Sequence, residues 1–188
     1  MFCRFAGCNL WSGREEQRAE AICKFCDTDF VGTDGPGGGL YQAEELAAAI
    51  GRAWRGGRGE GRPMVVLTGG EPLLQVTEEL VAQLHGQGME VAMETNGTLP
   101  APPGIDWICV SPKAGAELRL VSGDELKLVF PQDGCGPEPF ERLDFRHFFL
   151  QPMDGPQREA NTRLALQYCL DHPQWRLSVQ PQKWLGIR

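Results

Sequence analysis

Apolar and polar positions alternate along this chain in two different periods. Met64-Val65-Val66-Leu67 is a continuous apolar run short enough for a buried strand. Further strands are expected at Met1–Phe5, Glu90–Met93, Trp107–Val110, Leu126–Phe130, Phe148–Leu150 and Arg176–Val179. Between them the spacing changes to that of amphipathic helices. Glu44–Trp54 places Leu46, Ala47, Ile50 and Trp54 on one face, and Leu74–His85 buries Leu80, Val81 and Leu84. A third helix runs over Arg158–Leu170 and stops before Pro173. Strand–helix alternation of this kind predicts α/β units around a parallel sheet.

The segments just after the strands are more telling than the strands themselves. Leu67 leads into Thr68-Gly69-Gly70-Glu71-Pro72, and Met93 into Glu94-Thr95-Asn96-Gly97. Val110 is succeeded by Ser111-Pro112-Lys113, Leu150 by Gln151-Pro152-Met153-Asp154, and Val179 by Gln180. In a barrel or open parallel sheet the C-terminal strand ends share one rim, where ligands bind. Each segment alone suits an ordinary polar loop; together they outline one pocket.

Composition narrows the class. Eighteen Lys and Arg against 25 Asp and Glu give a net charge of −7, which opposes broad contact with a nucleic-acid backbone. Hydrophobic residues at 41% and charged residues at 23% fit a globular protein, expected as one domain over residues 1–188. No apolar run approaches the ~18 residues of a membrane span. Met1 does not open a secretory signal, so a cytoplasmic location is expected. The glycine-rich stretches 35–39 and 56–61 lack a phosphate cradle and read as turns.

The cysteines supply the chemistry. Seven is an odd count in a reducing compartment, so a disulfide framework is not expected. Cys8, Cys23 and Cys26 form C-x14-C-x2-C directly after the first strand, a thiolate set able to hold an iron–sulfur cluster or zinc. Cys3 would complete a four-thiolate zinc site. Strand alternation, however, points Cys3 to the face opposite Phe2 and Arg4, which suits a buried apolar residue. Pattern alone leaves zinc and cluster open. Cys109, Cys135 and Cys169 have no spaced partners and read as structural.

The three-cysteine loop, Phe25 before its last cysteine, and Gly69-Gly70-Glu71-Pro72 after the next strand together resemble the radical S-adenosylmethionine (SAM) superfamily. The widened first gap makes the chain similar to the 7-carboxy-7-deazaguanine synthase family. So do Phe2-Cys3-Arg4-Phe5-Ala6-Gly7-Cys8-Asn9-Leu10-Trp11, Cys26-Asp27-Thr28-Asp29-Phe30, Glu94-Thr95-Asn96-Gly97 and Gln151-Pro152-Met153-Asp154-Gly155. The resemblance implies a partial (βα) barrel with few, short helices, preceded by a strand and a Gln-Gly-Glu-Gly turn, so that this chain enters its first strand partway.

The same resemblance implies roles. Cys8, Cys23 and Cys26 would ligate a [4Fe-4S] cluster with one open iron for SAM. Phe25, Cys26, Asp27, Gly70, Ser111, Pro112, Lys113, Gln151, Pro152, Met153 and Asp154 would border that cofactor. Thr28 would hold magnesium, and Arg4, Thr68 and Arg188 the pterin substrate. The implied reaction is a radical ring contraction of 6-carboxy-5,6,7,8-tetrahydropterin with loss of ammonia, on the route to queuosine. A reductant protein such as flavodoxin and a homodimeric state are implied too.

Elementary chemistry agrees with these assignments. Arg4 offers a planar fork for a carboxylate or a pterin edge, and Gly69 and Gly70 permit close backbone approach. Bland readings stand beside them: Glu71 as a helix-start carboxylate, Lys113 as a solvated rim charge, Thr28 as a loop cap. Two rival functions remain at this level, a radical activase of a partner protein and a non-enzymatic zinc module built on Cys3, Cys8, Cys23 and Cys26.

Overall fold

The computed structural model describes residues 1–35, 37–54 and 61–186, and nothing of the Trp184 side chain. The expected turns at Pro36 and 55–60, and the expected substrate contact of Arg188, lie outside the described residues.

One parallel sheet carries the molecule. Its strands are β1 (Phe2–Phe5), β2 (Met64–Gly69), β3 (Glu90–Thr95), β4 (Trp107–Val110), β5 (Ser122–Phe130), β6 (Asp144–Pro152) and β7 (Trp175–Leu177), arranged in sequence order. Every pairing is parallel, so all C-terminal strand ends face one rim. Helices α1 (Ala43–Ala53), α2 (Glu78–Gly86) and α3 (Arg158–Asp171) cover it, and a short α4 (Pro181–Leu185) comes after the last strand. Among the described residues no helix is long and apolar enough to cross a membrane. The parallel α/β sheet is as the strand–helix alternation predicts, and the partial barrel with few helices is as the resemblance implies.

The pleat divides the sheet into two chemically different faces. Val65, Leu67, Val91, Met93, Val110, Leu126, Leu128 and Leu150 point outward and are completely buried. Residues of α1 and α2 such as Ile50, Leu80 and Leu84 close one part of that layer. Ala165 and Trp175 close the other. Removing each such aliphatic side chain from water contributes roughly 1.5–3 kcal/mol, which makes this the stabilising face. Cys3 packs on it, as alternation predicts, and burial pushes its thiol up to about 11.

The inner face is polar. Register places Arg4 beside Thr68, Glu94 beside Cys109, Cys109 beside Glu125, and Lys127 beside Phe149. Toward the strand starts Trp107 donates its indole N–H to Glu125 (3.0 Å) and stacks on His147 at 5.8 Å.

Four expected boundaries change. The helix over Leu74–His85 begins only at Glu78, because the Thr77 hydroxyl accepts from the Leu80 N–H (3.2 Å) and caps it there, while Pro72–Leu74 forms a separate 3-10 turn. Strands β5 and β6 start earlier than apolar runs suggest. Their opening residues face polar partners: Asp124 accepts from the Ile108 N–H at 2.9 Å and pairs with Arg146 at 3.1 Å. The last strand, expected at Arg176–Val179, spans Trp175–Leu177.

Candidate active site

Gly69 and Gly70 set the site's edge. Gly69 has φ +106°, a left-handed conformation that suits glycine, and a Cβ there would meet the Phe5 backbone. A Cβ on Gly70 would fall 1.9 Å from the Gly7 carbonyl oxygen. Bare backbone lets the end of β2 lie directly on the start of the cysteine loop, where Gly70 N–H donates to Phe5 (2.9 Å) and Glu71 N–H to Gly7 (2.9 Å).

The cysteine loop then folds back on itself through one residue. The Leu10 N–H donates to the Cys8 sulfur at 3.5 Å. The Leu10 carbonyl accepts from the Ile22 and Cys23 N–H groups at 3.1 and 3.2 Å. Fourteen intervening residues thereby return Cys23 to Cys8. Trp11 and Phe30, both buried, meet edge to face at 5.6 Å beneath this turn.

The three sulfurs feel one another. Cys23 and Cys26 interact thiol to thiol: hydrogen bonding from Cys23 holds the Cys26 thiol down to about 6, below an ordinary cysteine, and raises Cys23 in return. Burial pushes Cys8 up, and the negative charge of Cys26 adds to that, against backbone hydrogen bonds that lower it. Lys113 supplies positive charge to both Cys23 and Cys26. Its ammonium donates to the Ser111 carbonyl (2.6 Å) and hydroxyl (2.7 Å), so it points inward and is not a solvated rim charge.

This donor set fits an iron–sulfur cluster. Soft thiolates with one sulfur already favouring its anion are what such clusters bind. Among the described residues no three His, Cys, Asp or Glu side chains gather at single-ion spacing. The four-cysteine zinc reading loses Cys3, which lies in the apolar layer on the other side of the sheet.

Glu71 is completely buried and its carboxylate is shared among chain donors. It accepts from the Leu73 N–H (3.0 Å), the Thr95 hydroxyl (2.7 Å) and the Asn96 N–H (2.8 Å). The helix-start role is therefore present, joined to a second one that ties the ends of β2 and β3. Asn96 continues the chain of contacts to Asn9 of the cysteine loop at 3.0 Å.

On the inner face below the rim, Thr68 donates to Glu94 (3.1 Å) and Lys127 donates to its other oxygen (2.7 Å), with the positive charge of Arg4 also acting on it. Glu94, from one of the rim segments expected to outline the pocket, joins the expected Arg4 and Thr68 here, and so does Lys127, which sequence reasoning did not place in the site. The signal for Lys127 was present: it is the one cation of β5, set between Leu126 and Leu128.

The remaining expected residues sit along the same rim. The Met153 N–H donates to Phe130 at 2.8 Å, and its carbonyl accepts from Asn161 at 2.9 Å. Gln132 bonds the Pro112 carbonyl (3.2 Å) and the Ala114 N–H (3.0 Å), fixing the loop that carries Lys113. Asp27 and Asp154 converge on one cation: Lys183 of α4 pairs with both, at 2.8 Å to Asp154. Phe25 and Thr28 are half-buried beside Cys26.

Comparison with known proteins agrees with this geometry. Residues 18–123 match the model of the radical SAM superfamily. The chain is 62% identical over its whole length to the 7-carboxy-7-deazaguanine synthase of Caulobacter vibrioides, covering 89% of that protein. It is 63% identical to that of Bordetella pertussis, with the same coverage. The crystal structure of QueE from Escherichia coli superposes with a TM-score of 0.69 at 27% identity, over 95% of this chain and 84% of that one.

Proposed function

We propose how this chain works from the family it belongs to, the 7-carboxy-7-deazaguanine synthases of the radical SAM superfamily. It is a carbon–nitrogen lyase that contracts the ring of 6-carboxy-5,6,7,8-tetrahydropterin to 7-carboxy-7-deazaguanine with release of ammonia. When bound, a [4Fe-4S] cluster and SAM supply the electron transfer and the 5′-deoxyadenosyl radical that the chemistry needs. The chain's own residues bind, orient and exclude.

Cys8, Cys23 and Cys26 would hold the cluster. The observation that carries this is the Leu10 peptide, joined to Cys8 on one side and Cys23 on the other. Phe25, Asp27, Gly70, Ser111, Pro112, Lys113 and Gln151 to Asp154 would line the SAM pocket, with the Lys113 amine held against Ser111 and burial lowering its pKa below that of an ordinary lysine. Arg4 and Thr68 would receive the pterin on the polar inner face. Glu94 sits between them and Lys127, an acceptor for pterin N–H groups. Thr28 would offer its hydroxyl to magnesium, a hard ion that completes its shell with substrate oxygens and water.

The enzyme acts on a small molecule and takes electrons from a reductant. We assign the finer points the same way: a flavodoxin-like donor, a homodimer and a cytoplasmic site of action. Anaerobic reconstitution with iron and sulfide, then incubation with SAM, magnesium, reductant and the pterin, tests the function. Formation of the deazaguanine acid with one ammonia per turnover is expected. Intact cluster and SAM cleavage without that product would overturn the substrate assignment.

A further inference from the structure

The loop between Cys8 and Cys23 carries an arginine whose contacts converge on the cysteine turn. Arg18 lies in the 3-10 helix Glu15–Glu20. Its Nη1 donates to two carbonyl oxygens, of Lys24 at 2.9 Å and Cys26 at 3.0 Å. Those carbonyls flank Phe25, so one guanidinium nitrogen grips the Cys23–Cys26 turn across its middle. Its Nε donates to Glu15, and its Cζ stands 3.9 Å from the centre of the Trp11 ring. Trp11 itself is buried against Phe30. The side chain is only 29% exposed, whereas its partner Glu15 is 71% exposed, which sets it apart from an ordinary solvated loop charge.

We propose that Arg18 is the positioning residue of the cluster site: its guanidinium fixes the Cys23–Cys26 turn and holds a permanent positive charge on it. The inference rests on the cluster reading above. Chemistry gives it two consequences. Bridging two carbonyls while lying flat on an indole needs a planar, multi-donor cation, which lysine cannot supply. A fixed cation on the turn that carries Cys23 and Cys26 also favours the more negative, reduced state, so it raises the potential at which the cluster accepts an electron.

The test uses the full chain, reconstituted anaerobically, with iron retention after gel filtration and the cluster's midpoint potential by redox titration as readouts. Arg18→Ala is expected to lose most of its iron and to leave any remaining cluster at a lower potential. Arg18→Lys keeps charge but not the bridge, and should retain less iron at a potential near wild type. Arg18→Gln keeps hydrogen bonding without charge, and should shift the potential down. Wild-type iron retention with an unchanged potential in both Arg18→Ala and Arg18→Gln would overturn the proposal. If Arg18→Ala does not fold, as judged by circular dichroism, the lysine and glutamine variants decide by the same criteria. A wild-type chain that takes up no iron–sulfur cluster would instead overturn the reading beneath the proposal, and the proposal with it.

Discussion

Lys127 donates to Glu94 across the inner face of the sheet, nitrogen to oxygen 2.7 Å, from a strand two places away. Burial alone would push the Glu94 carboxyl up. The Lys127 charge and hydrogen bond, with help from Thr68 and Arg4, outweigh that and hold it below the ordinary carboxylate range. A depressed carboxyl contributes stability that is present above its unfolded pKa of about 4.3 and is lost as pH falls through the folded value. Lys127→Met should therefore cost on the order of 1–2 kcal/mol at pH 7, a discount from the fully buried case because Glu94 is 40% exposed. Urea denaturation at pH 7 and pH 3 checks this. The difference between variant and wild type should shrink in acid, and an equal difference at both values would remove the pair as its source.

The cysteines divide by face and by loop. Cys8→Ala, Cys23→Ala and Cys26→Ala should each abolish SAM cleavage and strip most of the iron. Cys3→Ala, on the outer face, and Cys169→Ala, in α3, should leave iron content within error of wild type. Iron and sulfide analysis of the five proteins reads this directly. Loss of metal in Cys3→Ala equal to the other three would restore the four-thiolate site.

Gly70 has no room for a methyl group, since its Cβ would sit 1.9 Å from a backbone oxygen that cannot rotate away. Gly70→Ala should destabilise by about 1–3 kcal/mol, lowering the melting temperature by roughly 2–12 °C. Gly86→Ala meets nothing within 4 Å and should match wild type or exceed it. Thermal melts of both variants give the comparison. An unchanged melting temperature in Gly70→Ala would show that the rim can relax.

Lys183 joins Asp27 of the cysteine loop to Asp154 of the β6 rim. Both carboxylates are partly solvated, so the clasp contributes on the order of 1 kcal/mol, equivalent to about fivefold. Lys183→Met should raise KM for SAM by that factor with little change in melting temperature, and should expose α4 to limited proteolysis. Steady-state kinetics with a timed protease digest measures both. Wild-type KM and wild-type cleavage would leave the clasp without a function.

The cysteine spacing and the glycine pair could be read before any fold, because their chemistry is written in short segments. The buried strands were equally plain as apolar runs, but in Met64-Val65-Val66-Leu67 every position is apolar, so which side chains face outward had to come from the structure. Relations between distant segments escaped. Glu94 and Lys127 are 33 residues apart, and nothing local says that they share a hydrogen bond. Arg18 lies in a charged run, Arg14-Glu15-Glu16-Gln17-Arg18, that by itself suits a solvated loop. The later start of α2 was missed because Leu74 and Val76 extend the apolar pattern past the true cap at Thr77. The early starts of β5 and β6 were missed because charged residues such as Asp124, Glu125, Asp144 and Arg146 near their openings imitate a loop.

Because the strands lie side by side in the order in which they are made, a ribosome would lay down the cysteine loop early and every wall of the cavity afterwards. The Lys183 clasp with Asp27 spans 156 residues and belongs to the final helix described. A nascent chain thus carries its three clustered cysteines long before it can fasten Asp27 to the rim, and the clasp forms only after all seven strands of the sheet have been made.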